Sequence, residues 1–494
     1  MKFPLKRNEI FFAAVYFVQA AVGISAMAQF LFSRNELGLS FVELGILAAL
    51  PTIFWSIKPI YGFITDLIPI GGYRRKPYLH ITPFITIISW LYIWQYSDSF
   101  ISYAIPLMIA NIGMGFTDVI ADGLVIQESN KDTVGRNQSI CWGALSIGAI
   151  VSTFFSGLLL GREILDIRGM FLLTALMPII TLILSFFIHE KKITEKEEIT
   201  VHNAINKNHI FFAFVALVMT IIVLAPKEGQ NMVFSSLSVL SIWFVWFIYY
   251  FKHLIDIKVI GKSLFITAIF IFLWRFTPSF GAPWQDYFLN QVGIDQETYG
   301  YFGVIAYFGW LMGAILFAKW LDKYNLKKVL FWTITLSAIL GLSQIGLTKI
   351  EWANVLGQFP LIKYTAAIIA SPVYLVAHGK DFWNVLMNYD GIVFFNMFLD
   401  FFLGILYMLS FLPLMKLAAL STPKNLEGTN FAVLASIMNF GLVFGYATGG
   451  IIYENIQNGM LGMNGLQITV LLGAITSLFA LIVLPWLKVQ KDSV

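Results

Sequence analysis

Long apolar runs alternate with short polar stretches along the whole chain. A membrane-spanning helix needs about 20 mainly apolar residues, because each residue adds about 1.5 Å and the hydrocarbon core is about 30 Å thick. Fourteen segments reach or approach that length, which predicts an all-α polytopic membrane protein. The predicted spans are 10–32, 41–64, 78–97, 100–126, 138–160, 169–188, 209–225, 232–251, 263–280, 298–318, 328–347, 393–415, 430–453 and 464–487.

One further apolar piece, 361–377, lies in a long predicted loop, 348–392. It contains Lys363 and Pro372, so we expect it to lie at the membrane interface rather than to cross the bilayer. The first run, 10–32, is too long for the core of a signal peptide, and we expect it to persist as the first span.

The loop charges orient these helices. If the fourteen spans leave both termini in the cytoplasm, 23 of the 32 lysines and arginines fall in loops on the cytoplasmic side, seven fall outside and two lie within spans. Cytoplasmic loops of membrane proteins carry such an excess of positive charge. The sequence therefore predicts a multi-pass protein of the plasma (inner) membrane with cytoplasmic termini.

Composition supports this assignment and excludes several other classes. The chain is 58% hydrophobic and 12% charged, with a mean hydropathy of +0.77, whereas soluble domains carry about 25% charged residues. The single cysteine, Cys141, cannot form a disulfide framework or a cysteine metal cluster. The net charge of +4 is spread over loops, so no nucleic-acid partner is expected. The lipid bilayer is the expected surrounding, and no cofactor is predicted.

The first six and last six spans are predicted to be related halves. In each half an acidic residue ends the second span and a basic cluster follows it. These residues are Asp66 with Arg74, Arg75 and Lys76, and Asp322 with Lys327 and Lys328. Transporters are often built from such repeats. We predict an N-terminal six-helix bundle (1–188), a cytoplasmic linker with an inserted helical hairpin (189–262) and a C-terminal six-helix bundle (263–494).

Five motifs distributed over both halves carry a family resemblance. They read Lys-Pro-Ile-Tyr-Gly (58–62), Ile-Gly-Gly-Tyr-Arg-Arg-Lys-Pro-Tyr (70–78), Asp-Val-Ile-Ala-Asp-Gly-Leu-Val (118–125), Phe-Leu-Trp-Arg-Phe-Thr-Pro-Ser (272–279) and Glu-Gly-Thr-Asn-Phe-Ala (427–432). The chain resembles the folate–biopterin transporter family of the major facilitator superfamily. It departs from that pattern in its long loop 348–392 and in Ala318, where the second signature has glycine. The resemblance implies a major facilitator fold and a carrier of folates or pterins, often a proton symporter.

Charges predicted deep in the membrane are the candidates for substrate or proton binding, because an unpaired charge in hydrocarbon is costly. Lys58 and Asp118 are predicted at similar depths, so we hypothesise an ion pair between them. The functional hypothesis is that Asp118 or Asp122 binds a proton or the amino-pyrimidinone edge of a pterin. The alternative makes Asp122 part of a cytoplasmic latch with Asp66 and Arg75.

A second candidate group combines Trp274, Arg275 and Asp400. The two charges are predicted in the outer-middle third of the membrane, where they face each other or share a cavity. A guanidinium suits the glutamate carboxylates of a folate, while the alternative is a structural Arg–Asp pair. Trp274 is the preferred ring for stacking on a flat substrate, although single tryptophans are more often interface anchors. Other candidate rings are Trp55, Trp142, Trp284 and Trp310.

The basic clusters and the acids before them are assigned to conformational gating, with topology-setting charge as the alternative. The set comprises Asp66, Arg74, Arg75, Lys76, Asp322, Lys327 and Lys328. Gly441, Gly445 and Gly449 repeat every four residues, which predicts a close helix crossing rather than a binding site.

The predicted function is secondary active transport of folates or pterins by alternating access. Three alternative functions were compared with it. A membrane-embedded enzyme would need histidines or a metal cluster at mid-membrane, and none of the six histidines falls there. We therefore predict no catalytic and no metal-binding residues. A receptor with an inactive carrier fold would leave the buried charges without purpose. The remaining alternative is a major facilitator carrier for another small organic solute.

Overall fold

The computed structural model describes residues 7–128, 134–190, 192, 207–225, 231–256, 262–319, 324–420, 427–456 and 462–487. The long elements of these residues are all helices, and twelve are long and apolar enough to cross a membrane. The protein is therefore a multi-pass helical membrane protein, as its hydropathy pattern predicts.

The first half contains eight helices. They are α1 (Arg7–Ala21), α2 (Ala26–Leu31), α3 (Phe41–Ser56), α4 (Lys58–Leu67), α5 (Lys76–Tyr96), α6 (Phe100–Glu128), α7 (Val134–Gly161) and α8 (Ile167–Ser185). A 3₁₀ turn, Val22–Ser25, interrupts the first span, and a π-helical segment, Phe32–Glu36, ends it. The inserted hairpin consists of α9 (Lys207–Leu224) and α10 (Met232–Asp256).

The described residues from 262 onward, which we call the second half, form twelve α-helices. They are α11 (Lys262–Arg275), α12 (Gly281–Asp286), α13 (Gln296–Lys319), α14 (Leu326–Leu342), α15 (Gln344–Leu347), α16 (Ile350–Gln358), α17 (Pro360–His378), α18 (Phe382–Met387), α19 (Gly391–Leu420), α20 (Glu427–Asn455), α21 (Gly465–Ser477) and α22 (Phe479–Val483). We call the end of the molecule that carries the connections 37–40, 97–99, 162–166 and 293–295 the outer face, because the loop charges predict it to be external. The opposite end is the inner face.

Each of the fourteen predicted spans coincides with helical structure, but the span predicted at 263–280 is not continuous. Helix α11 ends at Arg275, and the chain has no regular structure from Phe276 to Phe280. Pro278 explains the break, since proline lacks the amide hydrogen that continues a helix and restricts the residue before it. Without regular structure, the backbone groups of residues 277–279 lack the hydrogen-bond partners that a helix would provide.

The glycines of α20 accommodate this break. A Cβ atom on Gly445 would lie 2.5 Å from the carbonyl oxygen of Thr277, and one on Gly449 would lie 1.8 Å from that of Ser279. The amide of Ser279 donates a hydrogen bond to the carbonyl of Gly445 at 2.9 Å. The predicted close crossing at Gly441, Gly445 and Gly449 is confirmed, and its partner is the interrupted span rather than a regular helix.

The two halves meet along two seams, one between α3 and α20 and one between α7 and α13. At the first seam, a Cβ on Gly45 would lie 2.5 Å from the carbonyl oxygen of Tyr446. At the second, a Cβ on Gly157 would lie 2.8 Å from Gly300 Cα. The hairpin packs beside the first seam, where Phe247 of α10 contacts Phe440 of α20 with ring centroids 4.3 Å apart.

Helix α17 lies in the long loop that the sequence assigns to the interface. Its length and hydropathy alone would allow it to cross the membrane. However, near its start Lys363 Nζ lies 5.2 Å from the ring centroid of Phe394, and near its end His378 Nε2 lies 3.5 Å from Glu297 Oε1. Phe394 and Glu297 are at the beginnings of α19 and α13, on the outer face. Both ends of α17 are therefore on the same side, which favours the interfacial placement.

Candidate functional site

The buried charges of the N-terminal half form the predicted ion pair. Helix α3 ends at Ser56, and α4 begins two residues later at Lys58, whose Nζ lies 2.5 Å from Asp118 Oδ2 of α6. The two side chains are only 15% and 4% exposed. Lys58 Nζ also lies 5.2 Å from the ring centroid of Trp55. The hypothesis of a Lys58–Asp118 ion pair is confirmed.

Asp122 follows Asp118 by one helical turn on α6 and has a different partner. The hydroxyl group of Tyr16, on α1, donates a hydrogen bond to Asp122 Oδ1. Lys58 interacts electrostatically with both aspartates. One lysine thus faces two carboxylates, so the fully ionised group would carry one excess negative charge. A single bound proton would balance this charge, whereas the N–H donors of a neutral ligand would stabilise it through hydrogen bonds.

The charges of the C-terminal half do not pair with each other. Arg275 Nη1 donates to the hydroxyl oxygen of Tyr407 at 3.4 Å, while Asp400 Oδ2 accepts a hydrogen bond of 2.7 Å from Asn396 Nδ2. Asp400 and Tyr407 are seven residues apart on α19, so Arg275 reaches a level about 10 Å from Asp400. Arg275 and Asp400 therefore do not face each other, because the guanidinium lies two helical turns nearer the inner face, at the level of Tyr407. The alternative that they share one cavity stays a prediction.

A continuous run of aromatic rings joins the two charged groups across the bundle interface. Its rings are Tyr16 and Trp142 from the first half, and Phe411, Tyr407, Trp274 and Trp310 from the second. Trp142 and Phe411 meet across the interface with centroids 5.5 Å apart. Arg275 Cζ lies 5.9 Å from the ring centroids of both Trp274 and Tyr407. The aspartates and the arginine therefore stand at opposite ends of an aromatic surface.

Amide side chains tie the same region together. Trp55 Nε1 donates to Asn111 Oδ1 at 2.8 Å within the first half. Asn439 Nδ2 of α20 donates to the Trp55 carbonyl oxygen at 2.8 Å, which links the two halves beside Lys58. Sequence reasoning missed Tyr16, Tyr407 and Asn439, because a single tyrosine or asparagine in an apolar run carries no distinguishing signal among 20 tyrosines.

The predicted gating residues of the first half surround the start of α5. Gly71 and Gly72 adopt φ values of +63° and +82°, which allows the tight turn before the basic cluster. Glu190 accepts backbone hydrogen bonds from Arg75 and Lys76, the latter at 2.7 Å. A Cβ on Gly123 would lie 2.7 Å from Arg75 Nε. Arg75 thus packs against α6 beside Asp122, while the side chain of Asp66 lies outside the described residues.

The corresponding residues of the second half contact the last span instead. Lys327 Nζ donates to the carbonyl oxygen of Pro485 at 2.9 Å. The backbone amides of Lys327 and Lys328 donate to Asn325 Oδ1, which caps the start of α14. Asp322 lies outside the described residues. The gating assignment of all seven residues stays a prediction.

The two halves are held together at the outer face. Arg162, after α7, donates to both carboxylate oxygens of Glu297 on α13, at 2.9 Å and 2.7 Å. Arg34 Nε lies 3.4 Å from Asp286 Oδ1, and Glu454 of α20 accepts from the Val42 amide at 2.8 Å. These contacts join the two halves at the outer face, which favours an outward-closed state of the bundles.

Comparisons with known proteins agree with this architecture. A model of the BT1 family matches residues 20–357 and 381–493. A folate-biopterin transporter of Synechocystis sp. is 26% identical over 96% of this chain and 80% of its own length. Folate transporter 2 of Plasmodium falciparum is 22% identical over 97% of this chain and 88% of its own.

Solved structures of secondary transporters share the fold. A peptide-bound POT family transporter has a TM-score of 0.64 at 16% identity, covering 98% of this chain and 96% of its own. The nucleoside transporter NupG has a TM-score of 0.60 at 13% identity, covering 97% of this chain and 99% of its own. The predicted major facilitator fold is confirmed.

Proposed function

The chain belongs to the BT1 family, and from this premise we propose that it carries folates or pterins across the membrane by alternating access. Two relatives that match most of their own length to this chain are named as a folate-biopterin transporter and a folate transporter, which supports this substrate class. The observation that carries the proposal is the run of aromatic rings between the Asp118–Asp122 pair and Arg275.

The chemistry of a folate matches this arrangement from end to end. The 2-amino-4-oxo edge of a pterin offers two N–H donors, which an aspartate accepts through charge-assisted hydrogen bonds. Its flat fused ring offers a π-face to stacked aromatic side chains. The glutamate tail of a folate ends in carboxylates, for which the planar fork of Arg275 is the suitable donor. A pterin without that tail would use only the aspartate end and the rings.

Proton coupling is the second part of the proposal. Lys58 faces both Asp118 and Asp122, which leaves one excess negative charge in the fully ionised group. Moving a charged site between two faces of the membrane is costly, and a bound proton removes that charge before the bundles reorient. We propose symport in which a proton binds at this aspartate pair, with Tyr16 as the donor that orients Asp122.

Orientation in the membrane belongs to the same proposal. The distribution of 23 basic residues on one side and seven on the other supports cytoplasmic termini in the plasma (inner) membrane. A tag at the N-terminus should then react with an antibody only after the cells are permeabilised. Reaction in intact cells would reverse the assignment of the outer face.

The test of function is uptake into vesicles that contain the purified protein. Radiolabelled folate and a radiolabelled unconjugated pterin are compared with and without an inward proton gradient. Saturable uptake of both, stimulated by the gradient, is expected. Vesicles with the Asp122→Asn variant serve as the matched control for coupling, and protein-free vesicles correct for leakage. Uptake of a nucleoside or another organic solute in place of both compounds would favour the alternative carrier.

A further inference from the structure

Helix α17 lies in a segment that the family model does not match. The family model matches the chain up to 357 and again from 381, so the residues between these limits stand outside the match. They contain the whole of α17 (Pro360–His378). The bundles that meet at the candidate site thus have an additional helix on their outer face, and its contacts indicate what it does.

One side of α17 is packed against the C-terminal bundle. Ala366, Ala367, Ala370 and Tyr374 have no exposed surface, and they belong to a core shared with α13 and α19. Tyr374 lies 4.8 Å, centroid to centroid, from Tyr301 of α13. Side chains on the other face are exposed and apolar, as expected for a helix that borders lipid. These are Leu361, Tyr364, Ile368, Leu375 and Val376.

The end of α17 contacts the N-terminal bundle. Arg162 Nη2, which already binds Glu297, also donates to the carbonyl oxygen of Ala377 at 3.0 Å. The last carbonyls of a helix lack partners within the helix and form the negative end of its dipole, so they favour a cation. Gly379 ends the helix with a φ of +57°, two residues after Ala377, so the carbonyl that Arg162 binds belongs to the last turn.

Glu297 is the centre of this cluster. It accepts two hydrogen bonds from Arg162 and one from the hydroxyl group of Tyr301, and His378 Nε2 lies 3.5 Å away. The acid is only 14% exposed, whereas Arg162 is 38% exposed. Arg162 is thus held by two separate elements of the C-terminal side, α13 and α17, at the outer end of the seam between α7 and α13.

We infer that the additional helix is a clamp that stabilises the outward-closed state of the carrier. Opening the outer face requires α7 to leave α13, which breaks the bonds of Arg162 to Glu297 and to Ala377 together. The contact with Ala377 exists only because α17 is present. Chains of the family that lack this helix would hold the same seam with fewer bonds, and their outer face would open more readily.

Accessibility of a cysteine beneath the clamp tests this inference in the full-length protein. The side chain of Thr153, on α7, contacts Gly303 of α13 between the two halves. The reporter is Thr153→Cys in a Cys141→Ser background, labelled in intact cells with a membrane-impermeant maleimide. Closed bundles protect this position, and the labelling rate rises as the outer face opens.

Two changes are expected to raise the labelling rate at least threefold. One is Arg162→Ala, which removes the hydrogen bonds that Arg162 donates to Glu297 and to Ala377. The other replaces residues 360–378 with a glycine–serine segment of equal length. The matched control is Lys363→Ala, at the opposite end of α17, where the side chain contacts Gln358 and Phe394 but not the N-terminal bundle. It should label at the rate of the parent.

The outcomes separate the clamp from a simple ion pair. If Arg162→Ala raises labelling while the glycine–serine replacement does not, Glu297 alone holds the seam and the inference is overturned. It is also overturned if Arg162→Ala labels like the parent. Should the replacement fail to fold, Ala370→Leu displaces the helix by overfilling its packed face. The same threefold rise is then required of that variant. None of these readouts depends on which substrate is carried.

Discussion

In the N-terminal half of the site, Lys58 and Asp118 neutralise each other directly across 2.5 Å. In the C-terminal half, Arg275 and Asp400 are two helical turns apart, and their hydrogen bonds go to the neutral side chains Tyr407 and Asn396. A buried charge with an internal partner is satisfied without ligand, whereas a buried charge with neutral partners keeps its capacity to bind an ion. This contrast supports the proposal that the first half provides proton coupling and that the second half recognises the charge of the substrate.

The largest expected effect is that of Asp118→Asn. It leaves Lys58 buried without its ionic partner, and breaking a buried ion pair in this way costs about 3 kcal/mol or more of unfolding free energy. The thermal midpoint of the purified protein in detergent measures the loss. Removing both charges, with Lys58→Met and Asp118→Asn together, should recover most of the midpoint because no unpaired charge remains.

Uptake of the same variants decides whether the pair is more than structural. If the aspartate is part of the coupling site, the double variant is stable but its uptake no longer responds to a proton gradient. A stable double variant with the uptake and pH dependence of the parent would show that Lys58 and Asp118 only hold the helices together. The comparison between the two halves would then fail.

Arg275→Gln is expected to have the next largest effect, and it should depend on the substrate. Hydrogen bonds to charged groups contribute about 1.5–3 kcal/mol each, so loss of the guanidinium should reduce folate uptake by about 10-fold to 100-fold. Unconjugated pterin should be affected by less than about threefold, since it has no carboxylate for Arg275 to bind. Initial rates at several concentrations of each compound measure both effects.

A charge swap provides the control for this prediction. Because Arg275 and Asp400 are not in contact, Arg275→Asp combined with Asp400→Arg should not restore folate uptake. Full recovery would mean that the two side chains pair in another state of the transport cycle. In that case Arg275 would be structural, as the alternative interpretation of the sequence has it.

The sequence identified the buried charges in both halves, but in the second half it did not identify the side chains that they contact. Lys58 and Asp118 were counted from the outer ends of their spans at 1.5 Å per residue. The single turn residue Ile57, between α3 and α4, did not alter the result that both lie at the same depth. The same counting did not place the guanidinium of Arg275, which donates to Tyr407, seven residues along α19 from Asp400. Pro278 indicates from the sequence that the helix is interrupted. The glycines of α20 that pack against the interrupted segment are distant in the chain, so their contact with it was not predictable.

Three rings of the aromatic run, Trp142, Trp274 and Trp310, were candidates from the sequence, but the contacts that join them were not predictable. Trp274 was selected because it precedes Arg275, whereas Tyr16 and Phe411 acquire their roles only when the two bundles meet. Local sequence determines helix boundaries and depth, but it carries no information on which of many similar rings face the interface. The fold was therefore predicted in outline, and the aromatic run joining the two halves required the tertiary structure.

Trp142→Leu tests that run with a smaller expected effect. The ring lies between Tyr16 and Phe411, and one aromatic contact contributes about 0.5–1.5 kcal/mol beyond its buried area. The apparent KM for folate and for pterin should therefore rise about 2-fold to 10-fold, and equally for both. Trp332→Leu, at a ring that is 60% exposed on α14, is the matched control. A change in KM for folate alone would place Trp142 near the glutamate tail instead.

Lys327→Ala is expected to have the smallest effect, and it compares the two predicted gating motifs. Lys327 donates to the carbonyl oxygen of Pro485 within its own half, in a partly exposed position where single ionic contacts contribute little. Uptake should stay within about twofold of the parent. Arg75→Ala is the comparison, because Arg75 packs against Gly123 beside Asp122 and its loss alters the surroundings of the coupling site. If Lys327→Ala abolished uptake while Arg75→Ala did not, control of the inner face would lie in the second half.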